Sequence, residues 1–177
     1  MGALQTIHKE EPLHGQLVAI NDTLSQAMNN IRESVHDLHN ESLDLKQALR
    51  EVTDEFRDKY EIAFTYDMSA AVPRNVKYCF LAITKESLAN VVRHSNATRV
   101  SLYFCEHPGF YQMLVEDNGT DIKVKEAQIA KAQVSGIGLS NMRERVEALG
   151  GTIAFLTDKG FEIRISVPKM SKTRGTR

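Results

Sequence analysis

Cysteine is scarce in this 177-residue chain. The only two, Cys79 and Cys105, sit inside apolar stretches and form neither a CxxC pair nor a cysteine–histidine cluster. That excludes a disulfide scaffold and a structural zinc site, and makes a reducing cytosol the expected setting. An excess of one charge is also missing. Twenty-two basic residues stand against 23 acidic ones, a net charge of −1. A chain so balanced has no broad electrostatic footprint for nucleic acid, and no direct nucleic-acid partner is expected. No apolar run approaches the roughly 20 residues of a membrane span. The opening residues, Met1-Gly2-Ala3-Leu4-Gln5-Thr6, lack the basic-then-apolar layout of a signal peptide. What remains is ordinary globular composition, 42 % apolar and 25 % charged, enough to bury one sizeable core.

Residues 1–60 carry no convincing strand pattern. Leu17, Ile20, Leu24, Met28, Ile31, Val35 and Leu38 recur at steps of three and four, a helical seam close to the repeat of bundles. One seam cannot bury itself, so its partner helix is expected from another chain or from sequence upstream. A second helix is expected over 42–59, with Ser42 as its N-cap. Beyond it, Ile62, Phe64 and Tyr66 alternate like a strand. Pro73 suits the first turn of a helix over 73–94. Two alternating segments, 99–105 and 110–116, flank a turn at His107-Pro108-Gly109. A loop or lid follows over 117–135, then a helix over 139–149 closed by Gly150-Gly151. A last hairpin, 152–156 and 161–167, turns at Asp158-Lys159-Gly160. The expected fold class is an α/β two-layer sandwich preceded by a helical arm. The expected segments are 1–40 for the arm, 41–168 for the sandwich domain and 169–177 for a basic, solvated tail with Lys169, Lys172, Arg174 and Arg177.

Three constellations could carry chemistry. Glu86, Asn90 and His94 are spaced i, i+4, i+8, so they share one helix face. The stripe reads either as a solvated face or as a metal–phosphate site in which the Asn90 amide oxygen is a hard ligand suited to Mg²⁺. Ile83, Leu88, Val91 and Val92 take the other sides. Asp117-Asn118-Gly119 ends an alternating strand. It reads either as a turn or as a carboxylate placed to accept from an amino group such as that of adenine. Ser135-Gly136-Ile137-Gly138-Leu139 opens a helix, either as a flexible lead-in or as a backbone cradle for phosphate. It is neither a Walker motif nor a Rossmann fingerprint.

In this order and architecture the motifs resemble those of the GHKL ATPase superfamily, and within it the sensor histidine kinases. Ala82 to Ser95, AITKESLANVVRHS, is similar to the N box, Asp117-Asn118-Gly119 to the G1 box, and Ser135 to Val146 to the G2 box. The form GIGLxxMRERV followed by Leu149-Gly150-Gly151 resembles the NarL-type kinases, which use the third class of HisKA dimerisation domain. The resemblance covers about 16–168 and implies the Bergerat fold. It implies that Asn90 ligates Mg²⁺ and that Glu86 lies beside the γ-phosphate of ATP and helps activate the attacking histidine. Asp117 would bind the adenine amino group, with Gly119 letting the backbone approach the base. Gly136 and Gly138, with Leu139 beside them, would line the phosphates, and His94 and Lys85 would be phosphate neighbours. Two departures stand out: Thr120-Asp121 follow the G1 box in place of a further glycine, and 122–134 make a short lid without a clear F box.

A histidine kinase also needs an acceptor histidine. His36-Asp37 has the family's dipeptide form, but it precedes Leu43-Asp44-Leu45 by only a few residues. In the resembling family that stretch follows the second dimerisation helix, whereas the acceptor sits on the first. The acceptor and helix one are therefore expected upstream of Met1, and the chain alone is expected not to autophosphorylate. The resemblance further implies a homodimeric parent, membrane-anchored with this domain on the cytoplasmic side. Its partner would be a response regulator with a DNA-binding output domain. The alternative from another class is a nucleotide-binding GHKL regulatory module, anti-sigma-like or degenerate, without kinase activity.

Overall fold

Period-two alternation organises the sheet. A computed structural model describes residues 43–120, 137–157 and 159–169. Its strands are β1 (Glu61–Asp67), β2 (Arg99–Glu106), β3 (Phe110–Asp117), β4 (Thr152–Leu156) and β5 (Glu162–Pro168), and its helices α1 (Leu45–Asp54), α2 (Arg74–His94) and α3 (Ile137–Glu147). The strands lie in the order β1-β2-β3-β5-β4. β1 and β2 are parallel, joined through α2, and every other pair is antiparallel. Register sets the apolar residues in rows across one face. Phe64, Leu102, Val115, Ile163 and Phe155 form one row, and Tyr66, Phe104, Met113, Ile165 and Ile153 the next. The helices cover this face and the other stays largely open, the two-layer sandwich expected from the sequence. At one end of the sheet the same alternation continues as Ile62, Val100 and Asp117. A carboxylate thus takes a position in the core-facing row.

α2 is the central helix. Val76, Phe80, Ile83, Leu88 and Val91 are buried along it. Each such side chain is worth about 1.5–3 kcal/mol of burial. Thr84 and Ser87 share that buried face at little cost, because their hydroxyls donate to the carbonyls of Phe80 and Ile83 one turn back, at 2.8 and 2.6 Å. Val92, off the polar stripe, lies 49 % exposed. Pro73 caps α2 from outside in an extended conformation. α1 is shorter than the expected 42–59. It starts at Leu45, where the Asp44 carboxylate accepts from the Gln47 N–H at 3.1 Å, so Asp44 and not Ser42 is the cap. Leu45 and Leu49 bury against α2, and Lys77 Nζ donates to the Leu43 carbonyl at 2.9 Å. α3 runs two residues earlier than expected, ending at Glu147, and the turn after it reaches Gly150, whose φ of 67° is the left-handed conformation that glycine permits. The helical seam at 17–38 and the lid at 121–136 lie outside the described residues, as do 170–177.

At the sheet end away from Asp117, the Glu106 carboxylate sits 2.7 Å from Lys169 Nζ and accepts from the Ser69 N–H at 2.8 Å. Lys169, counted with the tail in the sequence, is held there, and its own N–H donates to the Gly109 carbonyl at 2.9 Å. The Lys169 hydrogen bond first, and those from Ser69 second, bring the Glu106 pKa from 4.5 down to about 2. A lowered folded pKa stabilises the fold above the ordinary carboxylate range, and that contribution is lost as pH falls toward 2. Urea midpoints at pH 7 and pH 2.5 should therefore differ less in Glu106→Gln than in the wild type. After allowance for solvent screening, the differential should be about 1–2 kcal/mol.

Candidate functional site

Asp117 is 4 % exposed, the most deeply placed carboxylate among the described residues. Its Oδ1 accepts two hydrogen bonds, from Ser95 Oγ at 2.9 Å and from the Gly119 N–H at 2.8 Å. No described residue donates to Oδ2. Its backbone N–H donates to the Phe161 carbonyl at 3.0 Å, which ties the end of β3 to the start of β5. Gly119 has a packing reason for being glycine. A Cβ there would stand 2.1 Å from Ser95 Oγ and 2.8 Å from Asp117 Oδ1. The neighbouring Asn118 faces the other way. Its Oδ1 accepts from the N–H groups of Thr98 and Arg99, both at 2.9 Å, and its Nδ2 donates to Thr98 Oγ1 at 3.1 Å. Asn96 completes the join, its Oδ1 accepting from the Thr120 N–H at 2.9 Å. The segment leaving α2 and the turn leaving β3 are thus one hydrogen-bonded unit.

Along α2 the predicted stripe does share a face. Glu86 and Asn90 are half-buried, and His94 is exposed at the helix end beside Ser95. Asn90 makes no hydrogen bond to another described residue, and neither does His94. Lys85 is exposed next to Glu86. The Glu86 carboxylate lies against the first turn of α3, where a Cβ on Gly138 would stand 2.3 Å from Glu86 Oε1. Arg93 Nη1 approaches the same oxygen at 3.8 Å. Gly138 therefore permits the close meeting of α2 with the first described turn of α3, and the N–H groups of a helix's first turn suit an anion. Leu139 packs partly into the core behind it. Gly136 lies outside the described residues. α2 thus connects the two halves of the site. From Glu86, beside α3, to Ser95, bonded to Asp117, is nine residues, roughly 13 Å of helix.

Two contributors escaped the sequence reading. Ser95 stood at the edge of the helical motif without a role. Gly160 stood in the last turn, and it has φ 140° with its α-carbon pressed to the backbone of Asp117, so that a Cβ would lie 1.8 Å from the Asp117 carbonyl oxygen. The two buried thiols take no part. Burial pushes Cys79 up to about 11, against a small lowering from Arg145, so it stays protonated and inert.

Residues 80–171, just over half of the chain, match the family described as histidine kinase-, DNA gyrase B- and HSP90-like ATPases. The chain belongs to that family. Its sequence relatives include the sensor histidine kinase LiaS of Bacillus subtilis, 31 % identical over 134 residues, which cover 74 % of this chain and 36 % of LiaS. The sensor protein VraS of Staphylococcus haemolyticus is 27 % identical over 176 residues, 95 % of this chain and 49 % of VraS. The chain thus spans half or less of the length of these relatives. Among solved structures, the Acinetobacter baumannii histidine kinase AdeS superposes with a TM-score of 0.59 at 18 % identity, over 94 % of this chain and 89 % of that one. The histidine kinase domain of the Erythrobacter litoralis blue-light activated kinase gives 0.57 at 19 % identity, over 70 % and 58 %. At such identities the structures speak to fold alone, and the fold is that of a histidine kinase ATPase domain. The domain thus has the ATPase fold of this family, and the curated relatives it matches are sensor kinases.

Proposed function

We propose that this domain binds Mg·ATP with the base at Asp117 and the phosphates at the N-terminus of α3, and that it drives phosphoryl transfer to a histidine of its parent kinase. The observation that carries the reading is that α2 runs between a buried acceptor carboxylate, bonded to Ser95 at its end, and the first described turn of α3, which meets Glu86 nine residues earlier, roughly 13 Å of helix. Asp117 Oδ2, with no donor from the described residues, accepts from the exocyclic amino group of adenine, and Gly119 keeps the turn thin beside the base. Gly136, Gly138 and Leu139 bring backbone N–H groups to the phosphates, with Lys85 and His94 as cationic or polar neighbours. Asn90 fits a magnesium ligand: its amide is half-buried, unpaired among the described residues and turned along the stripe shared with Glu86. No group of three His, Cys, Asp or Glu side chains gathers among the described residues. That suits a hard cation which takes one or two protein oxygens and completes its shell with phosphate and water. Bound there, Mg²⁺ supplies charge neutralisation across the phosphates. Glu86 accepts an N–H of the attacking imidazole and orients its other nitrogen toward the γ-phosphate. Positioning and neutralisation then do most of the work.

In the parent, the phosphoryl group passes onward to an aspartate of a response regulator with a DNA-binding output domain. The parent is read as a sensor kinase, as its relatives LiaS and VraS are named, and further as a homodimer of NarL type, anchored in the membrane with this domain on its cytoplasmic side. Among the described residues themselves, no helix is long and apolar enough to cross a membrane.

Calorimetry with ADP and Mg²⁺ tests the site. The wild-type chain should bind, and Asp117→Ala should weaken binding by at least about tenfold, the worth of a lost hydrogen bond to a charged group. No detectable binding to the wild type at millimolar nucleotide would reject the reading.

A further inference from the structure

We propose that Ser95 is a positioning residue for base recognition, holding the Asp117 carboxylate so that its second oxygen meets an amino group and rejects a carbonyl. This rests on the nucleotide-site reading above and deepens it. Ser95 Oγ accepts from the Ala97 N–H at 3.1 Å, so that lone pair is taken and the hydroxyl's single hydrogen is directed onward to Asp117 Oδ1 at 2.9 Å. The Gly119 N–H reaches the same oxygen at 2.8 Å. Oδ1 therefore holds two donors, one of them polarised by the donor behind it. Two donors on one oxygen fix the rotation of the carboxylate about its Cβ–Cγ bond. Oδ2, which receives nothing from the described residues, then faces the ligand as an acceptor. An exocyclic N–H of adenine satisfies it, whereas the carbonyl of hypoxanthine or guanine at the same place leaves two acceptors facing each other in a poorly solvated site. Such polar mismatches discriminate far better than a change of size.

The geometry also explains why serine does this. Ser95 follows the last residue of α2 in an extended conformation (φ −116°, ψ 145°), so its side chain leaves the helix. It then meets a strand end 22 residues later in the chain. The bare α-carbon of Gly119 makes the space, since a Cβ there would collide with this hydroxyl. Removing the hydroxyl leaves Oδ1 held by the Gly119 N–H alone, so the carboxylate can turn and Oδ2 is no longer fixed toward the base, which weakens both the bond to an amino group and the clash with a carbonyl.

The test uses the 177-residue chain and two probes, ADP and inosine diphosphate, titrated by calorimetry with Mg²⁺. The wild type should prefer ADP. Ser95→Ala should narrow the ratio of the two dissociation constants by roughly tenfold. Ser95→Thr, which keeps the hydroxyl, should restore most of it. Ser95→Cys keeps a similar volume with only a weak S–H donor, should give an intermediate ratio, and carries the test if the alanine variant does not fold. A merely structural role would weaken both nucleotides alike and leave the ratio in place. An unchanged ratio in Ser95→Ala and Ser95→Cys, with Asp117→Ala still weakening ADP, would overturn this inference alone. ADP binding indifferent to Asp117→Ala would overturn the site reading beneath it.

Discussion

Asn90→Ala should abolish the dependence of nucleotide binding on Mg²⁺ while leaving the fold untouched. The fold should not notice because Asn90 hydrogen-bonds to no described residue, so its removal strands no buried partner. The half-buried amide can be deleted for less than about 0.5 kcal/mol, as for surface substitutions away from structural features. Function should notice because the amide oxygen is the proposed protein ligand to the cation. Calorimetric titrations of ADP with Mg²⁺ and with EDTA should converge in Asn90→Ala, whereas Asp117→Ala should weaken binding in both media. Phosphoryl transfer from ATP to a dimerisation fragment carrying the acceptor histidine should fall at least about a hundredfold, since displacement at the reacting centre costs that much. If Asn90→Ala and Asp117→Ala respond identically to added Mg²⁺, the division between metal and base recognition is wrong.

Gly160→Ala should be among the most destabilising single-methyl additions in the described fold. Its Cβ would stand 1.8 Å from the Asp117 carbonyl oxygen, 2.9 Å from its carbonyl carbon and 3.3 Å from Asn118 Cα, all of them backbone. No side chain can rotate away to relieve such contacts, so the last turn must pull back from β3. The φ of 140° adds a conformational penalty of roughly 1–3 kcal/mol for any residue with a Cβ. Together these should cost about 3 kcal/mol or more, read as a fall in the urea midpoint. A matched control is Gly109→Ala, where a Cβ would meet nothing within 4 Å and the stability should hardly move. The substitution should also weaken ADP, because the bond from Asp117 N–H to Phe161 O, which aligns the carboxylate, spans the same junction. A Gly160→Ala chain with unchanged midpoint and unchanged affinity would show that the turn does not brace the site.

Sequence by itself determined the strands, the central helix and the stripe of Glu86, Asn90 and His94. Each is a local period: two residues for a strand face, about 3.6 for a helix face, and the repeat needs no knowledge of the partner. It also offered Asp117 as a candidate base ligand, a carboxylate at the end of an alternating strand just before Asn118-Gly119. Element ends shifted by a few residues, as at α1, where two competing caps, Ser42 and Asp44, stood within one turn. Only the tertiary structure decided the rest. The bond between Ser95 and Asp117, the press of Gly160 on the Asp117 backbone and the pair of Glu106 with Lys169 all join residues far apart in the chain, and strand register alone brings them together. The packing reason for Gly119 is of the same kind. In sequence it was a glycine after Asp-Asn, whereas in the fold the space of its missing Cβ is filled by a hydroxyl from another element.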